Sequence, residues 1–126
     1  MSNSGAPIAG CTFDGSSPDL ARVRITGELD ASSVGPVQQA IRDFLKPEHR
    51  RVVLDLTDLS FIDSSGIRLL IQVIHAKKDV GEVTIVNPRA GTARRSLEIV
   101  GLSRVASVVD ADSPELVHHG DAQAGE

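Results

Sequence analysis

The chain has 126 residues, 40% hydrophobic, 24% charged and only 2% aromatic, with a formal net charge of −4 and a pI near 5.5. That is one domain's worth of chain, long enough to bury a core without disulfides or metal staples. The scarcity of aromatic rings leaves no stacking platform for single-stranded nucleic acid, and the acidic balance excludes the basic footprint of a nucleic-acid binder or of a polybasic membrane anchor.

Both ends read as loose. Residues 1–10 are Ser, Gly, Ala and Pro with little to bury, and residues 118–126 are polar and contain Gly,. The domain is expected over residues 11–117. The first ten residues carry no cationic or apolar run of a secretory signal, and no stretch approaches the roughly 18 to 20 apolar residues of a membrane span. The single cysteine, Cys11, cannot form an internal disulfide. A cytoplasmic, reducing setting is the expectation, with Cys11 a small apolar filler rather than a redox sensor.

In chain order, residues 11–13 read as a short strand and Asp14-Gly15-Ser16-Ser17-Pro18 as a turn,. Ala21, Val23 and Ile25 alternate with Arg22, Arg24 and Thr26, which predicts a half-exposed strand hairpinned to the first,. Gly27-Glu28-Leu29-Asp30 turns the chain. Val34, Val37, Ile41, Phe44 and Leu45 then recur at helical spacing, with Ser32 or Ser33 as the N-cap, Pro36 tolerable near the start and Pro47 as a stop,.

Residues 52–56 form a mostly apolar run suited to a central strand,. A loop leads to Phe61-Ile62-Asp63-Ser64-Ser65-Gly66. After it, Ile67, Leu70, Ile71 and Ile74 at i, i+3, i+4 and i+7 mark a second amphipathic helix, with Gly81 ending the segment,. Residues 83–86 are a β-branched strand stopped by Asn87-Pro88. Ala93, Leu97 and Val100 mark a third helix closed by Gly101,. Residues 105–109 are the final strand, and Ser113-Pro114-Glu115 reads as the start of a short last helix,. The order β-β-α-β-α-β-α-β predicts an α/β fold: a mixed, mainly parallel sheet with an antiparallel N-terminal edge strand and packed helices.

The informative segment is Asp63-Ser64-Ser65-Gly66, where a loop becomes a helix. A helix N-terminus offers free N–H groups and partial positive charge, which would accommodate a phosphate on Ser65. Gly66 removes a side chain beside that serine and would leave room for a kinase. The plainer reading makes Ser64 an N-cap, Asp63 a complement to the helix dipole and Ser65 a bystander.

Catalysis finds little support. Asp55 and Asp58 near a strand end could hold Mg²⁺ or accept phosphate, but the acidic pair and lysine of a receiver domain are not convincingly placed. There is no phosphate-binding glycine loop with lysine, no Gly-x-Ser-x-Gly elbow and no zinc-spaced Cys/His cluster,. Asp55 reads as a structural carboxylate held by backbone N–H groups. Arg94 and Arg95 read as a polar helix face, and His118-His119 as solvated tail residues. The chain is expected not to be an enzyme and to need no cofactor or metal.

Three ordered segments carry a family resemblance. The run Val52-Val53-Leu54-Asp55-Leu56-Thr57-Asp58-Leu59-Ser60-Phe61-Ile62-Asp63-Ser64-Ser65-Gly66-Ile67 resembles the signature of the STAS family, the anti-sigma-factor antagonists and the cytoplasmic domains of sulphate transporters. Gly27-Glu28-Leu29-Asp30 resembles the family's element after its second strand, and Leu97-Glu98-Ile99-Val100-Gly101-Leu102 its third-helix ending. The resemblance covers residues 11–110. It implies an antagonist that binds a serine-kinase anti-sigma factor of the GHKL ATPase type and so frees a sigma factor in transcriptional stress regulation. It implies phosphorylation of the second serine, Ser65, loss of binding in the phosphorylated form and resetting by a phosphoserine phosphatase. An acidic residue placed like Asp30 would take part in the kinase contact, so Asp30, Asp63, Ser64, Ser65 and Gly66 are the expected partner-binding set. A monomer, with no nucleic-acid or membrane partner, is expected. The alternative within the family is an accessory subunit of a transport ATPase or a piece of a larger signalling assembly.

Overall fold

A computed structural model describes residues 9–111. The strands are β1 (Ala9–Ser17), β2 (Leu20–Leu29), β3 (Arg51–Asp55), β4 (Leu59–Ile62), β5 (Glu82–Val86) and β6 (Ser107–Val109). The helices are α1 (Val34–Phe44), α2 (Ser64–Lys77) and α3 (Thr92–Val100), and a 3₁₀ turn spans Leu102–Arg104. The loose tail at residues 118–126, the short helix at Ser113-Pro114-Glu115, the His118-His119 pair and the domain end at residue 117 lie outside the described residues, as do residues 1–8.

The sheet order is β1-β2-β3-β5-β6, with β4 paired to β2. β1 is antiparallel to β2, and the other pairings are parallel. The fold is the expected mixed, mainly parallel sheet with an antiparallel N-terminal edge. Alternation in β2 buries Ala21, Val23 and Ile25 and leaves Arg22 and Arg24 toward solvent,. The apolar run of β3 is covered on both faces. Val52 and Leu54 join the main core with Ile41 of α1, Leu70 of α2 and Leu97 of α3, while Val53 packs with Leu20, Val86 and Val109.

Several boundaries differ from the sequence reading. β1 does not stop at residue 13. The turn-forming residues after it stay paired with the long β2 through a bulge between Asp14 and Ser17, and the hairpin turns at Pro18 and Asp19,. Gly27-Glu28-Leu29 is not a turn but the end of β2. Gly27 takes φ of 85°, its N–H reaches the Asp58 carbonyl at 3.2 Å, and the register toward β4 shifts there,. That shift moves β2 from its pairing with β3 onto β4. β4 begins inside the expected loop, at Leu59, and runs on through Phe61 and Ile62. Val105 lies outside the last strand, which is preceded by the 3₁₀ turn. Gly101 closes α3 in the left-handed conformation, φ 76°,.

Candidate functional site

β2 and β4 run parallel, with Leu29 opposite Ile62, and both chains leave the sheet at the same end. The loop 30–33 follows the first, and the N-terminus of α2 follows the second. Asp63 joins them. Its N–H donates to the Leu29 carbonyl at 3.1 Å. Its Oδ1 accepts the N–H groups of Ser65 at 2.8 Å and Gly66 at 3.3 Å, and its Oδ2 accepts the N–H of Ala31 at 3.2 Å.

The N-cap of α2 is therefore Asp63 and not Ser64,. This corrects the picture of an open anion site. Two of the N–H groups that a phosphate would use, those of Ser65 and Gly66, are already held by the Asp63 carboxylate. Gly66 is corrected as well. It is buried, and a Cβ there would stand 2.6 Å from Ile62 Cγ1 and 2.8 Å from the Leu29 carbonyl oxygen. The missing side chain lets α2 sit close on β2 and β4, and it opens no space on the outer surface.

Asp30 organises its own loop. Its Oδ1 accepts the Ser32 hydroxyl at 2.7 Å and the N–H groups of Ser32 and Ser33 at 3.0 and 3.1 Å. The Ser32 hydroxyl bond, with the N–H bonds behind it, holds the Asp30 carboxyl below the usual carboxylate range,. Ser33 stands at the N-cap position of α1 but does not cap it. Its hydroxyl donates to the Glu28 carbonyl at 2.8 Å and accepts the Asp30 N–H at 3.0 Å.

Ser60, the other serine on this rim, donates to the Gly27 carbonyl at 3.0 Å. The hydroxyls of Ser64 and Ser65 differ from those of Ser32, Ser33 and Ser60: among the described residues neither makes a hydrogen bond. Ser64 is exposed and Ser65 half-buried. One residue escaped the sequence reading. Phe61 on β4, the Cα partner of Glu28, is 40% exposed. An aromatic residue three positions before the serine pair, in a chain with three Phe and no Tyr or Trp, was the available signal.

The carboxylates weighed for catalysis are engaged. Asp55 accepts the N–H of Thr57 at 3.0 Å and the Thr57 hydroxyl, and it lies 3.7 Å from Arg22. Asp58 is clamped between Arg24 and Arg89. Arg94 is bound to Glu98, Asp110 and the Pro88 carbonyl. Cys11 packs against the core, and burial pushes its thiol up to about 11, so it stays protonated and unreactive near neutral pH,. No group of three His, Cys, Asp or Glu side chains converges among the described residues. No described helix is long and apolar enough to cross a membrane.

Residues 16–112 match the family model for the STAS domain. The chain belongs to the STAS domain family. Solved structures share this STAS fold over nearly their whole length. An anti-sigma factor antagonist from Mycobacterium paratuberculosis is 20% identical, with TM-score 0.70 over 91% of this chain and 96% of that one. The anti-sigma factor antagonist SpoIIAA in its unphosphorylated form is 22% identical, with TM-score 0.63 over 88% and 97%. The Bacillus cell fate determinant SpoIIAA in the phosphorylated form is 23% identical, with TM-score 0.66 over 88% and 99%.

Proposed function

We propose that this STAS domain is an anti-sigma-factor antagonist: a non-catalytic protein that binds a serine-kinase anti-sigma factor of the GHKL type, frees a sigma factor and is turned off by phosphorylation at Ser65. The observation that carries the reading is the Asp63 carboxylate, which ties the Asp30 loop and the serine pair into one surface with two unengaged hydroxyls. Asp30, Asp63 and Ser64 join the acceptor in this reading, Phe61 is an exposed ring on the adjoining strand β4, and Gly66 serves by keeping α2 tight on the sheet. The fold neighbours include antagonists, one of them described in a phosphorylated form.

The chemistry of the switch is electrostatic. A phosphate adds about −1.5 to −2 charges at neutral pH. With Asp63 already on the helix N–H groups, the phosphate meets carboxylates rather than free donors. A partner shaped for a hydroxyl would then face like-charge repulsion and the cost of stripping water from the phosphate. A penalty of about 3 kcal/mol lowers affinity more than a hundredfold. A phosphoserine phosphatase restores the binding form, and the domain acts as a cytoplasmic monomer.

The test is a capture from source-cell lysate with wild type, Ser65→Ala and Ser65→Glu as baits, followed by phosphopeptide mapping. A GHKL-type kinase held by wild type and Ser65→Ala but not by Ser65→Glu, with phosphate on Ser65 of wild type, is the expected result. Equal capture by all three baits, or a transport ATPase alone, would sink the antagonist reading.

A further inference from the structure

α1 and α2 lie side by side and leave an open cleft of about 620 Å³ between them. That size is typical of small-molecule sites. The buried side chains of Ile41, Leu69 and Val73 line it, and the Gln38 amide donates across it to Gln72 at 2.5 Å. The C-terminal ends of both helices bring three cations to the same cleft, Arg42, Lys46 and Lys77. No Asp or Glu is among its lining residues, although the chain as a whole has a net charge of −4.

Lys77 is the unusual member. It is only 6% exposed, and its ammonium donates to the Lys46 carbonyl at 2.8 Å. An ammonium has three donors, and no second acceptor or ion-pair partner stands against this one among the described residues. Burial lowers its pKa, and the charge of Glu48 offsets part of that effect. A buried cation beside apolar walls is a costly arrangement that an anion would relieve.

We propose that this cleft binds a small anionic amphiphile, a carboxylate on an unbranched apolar chain, with the chain along Ile41, Leu69 and Val73 and the carboxylate on Lys77. A compact inorganic anion would leave the apolar walls uncovered, and an uncharged chain would leave the ammonium with the Lys46 carbonyl as its one bonded acceptor among the described residues. The anionic end of the site, at Lys77, lies about 18 Å along α2 from Ser65, twelve residues at 1.5 Å each, while its apolar end reaches Leu69, one turn from Ser65,.

The experiment is calorimetric titration of the full chain with octanoate and decanoate below their micelle concentrations, with decanol and decyltrimethylammonium as controls. Decanoate binds saturably and tighter than octanoate, by up to about fourfold per added methylene. Decanol and Lys77→Met each weaken binding by roughly tenfold, decyltrimethylammonium does not bind, and Ala76→Phe, a filling change at an exposed lining position, abolishes binding. Circular dichroism establishes that each variant is folded. If Lys77→Met fails to fold, the decanol comparison and Ala76→Phe decide. The proposal is overturned if decanoate does not bind, if the alcohol or the cation binds as well, or if Ala76→Phe binds like wild type. It is equally overturned if the protein sediments with anionic phospholipid vesicles while ignoring free decanoate.

Discussion

One oxygen of Asp63 accepts the N–H of Ala31 at 3.2 Å while the other holds the N–H of Ser65 at 2.8 Å, so a single carboxylate caps a helix and straps a loop to it. Asp63→Ala removes both. The expected loss is about 1–2 kcal/mol in urea denaturation, and Asp63→Asn, which keeps one acceptor oxygen, loses less. Wild-type stability in the alanine variant would contradict the assignment of the cap.

Gly66→Ala tests the close seat of α2. Its Cβ would meet the Leu29 carbonyl oxygen at 2.8 Å and Leu29 Cγ at 2.9 Å. Alanine favours a helix over glycine by about 1 kcal/mol, yet overpacking should prevail with a net loss of about 1–3 kcal/mol. Ser64→Ala, at an exposed position with an unengaged hydroxyl, should stay within about 0.5 kcal/mol of wild type. Thermal melts that ranked the two variants the other way would refute this packing account.

Phe61 offers an apolar anchor beside a polar surface. Phe61→Ala is expected to lower the melting temperature only modestly, because the residue is 40% exposed and gives up only part of a buried ring,. The same change should weaken capture of the kinase by about tenfold or more, as loss of a buried aromatic does at interfaces. Undiminished affinity in a binding titration would remove Phe61 from the surface.

Acid should destabilise the fold in a defined direction. Asp30 is held below the usual carboxylate range chiefly by the Ser32 hydroxyl, Asp19 by Arg51 and Asp110 by the Asn87 amide. A carboxyl with a depressed folded pKa takes up protons less readily folded than unfolded. Its contribution is present above the unfolded value of about 3.9 and is lost as pH falls through the lower folded value. These groups are exposed, so salt should make the loss shallow. Urea midpoints followed from about pH 6 to about pH 2 should drop at the acid end, and Asp30→Asn should flatten part of that drop. A midpoint independent of pH would count against these hydrogen bonds.

The periodic parts of this chain were legible in its sequence. The alternation from Ala21 to Ile25 announced β2, and Ile67, Leu70, Ile71 and Ile74 announced α2, because burial of one face imposes a period. β4 escaped because its four residues place exposed Ser60 and Phe61 together between buried Leu59 and Ile62, which fits neither period. β1 was read too short because residues 14–17 have turn chemistry and pair only because the long β2 supplies partners. At the site, the motif was visible as a helix start, but its inner logic was not. The Asp63–Ala31 bond spans 32 residues and leaves no pattern in the sequence. The reason for Gly66 lies in Leu29, on another strand.

The shift at Gly27 also bears on how the serine surface can respond. β2 has β1 on one edge, and on the other it has β3 and then β4. Its amides should be among the slowest to exchange with solvent deuterium, since releasing them requires parting the sheet on both sides. Leu29, at the end of that strand, carries the Asp63 N–H. The serine pair thus hangs from the end of β2, where Leu29 pairs with Ile62 of β4 and holds Asp63. A group added at Ser65 would meet a loop and a helix end strapped together by Asp63, and would act there chiefly through its charge,.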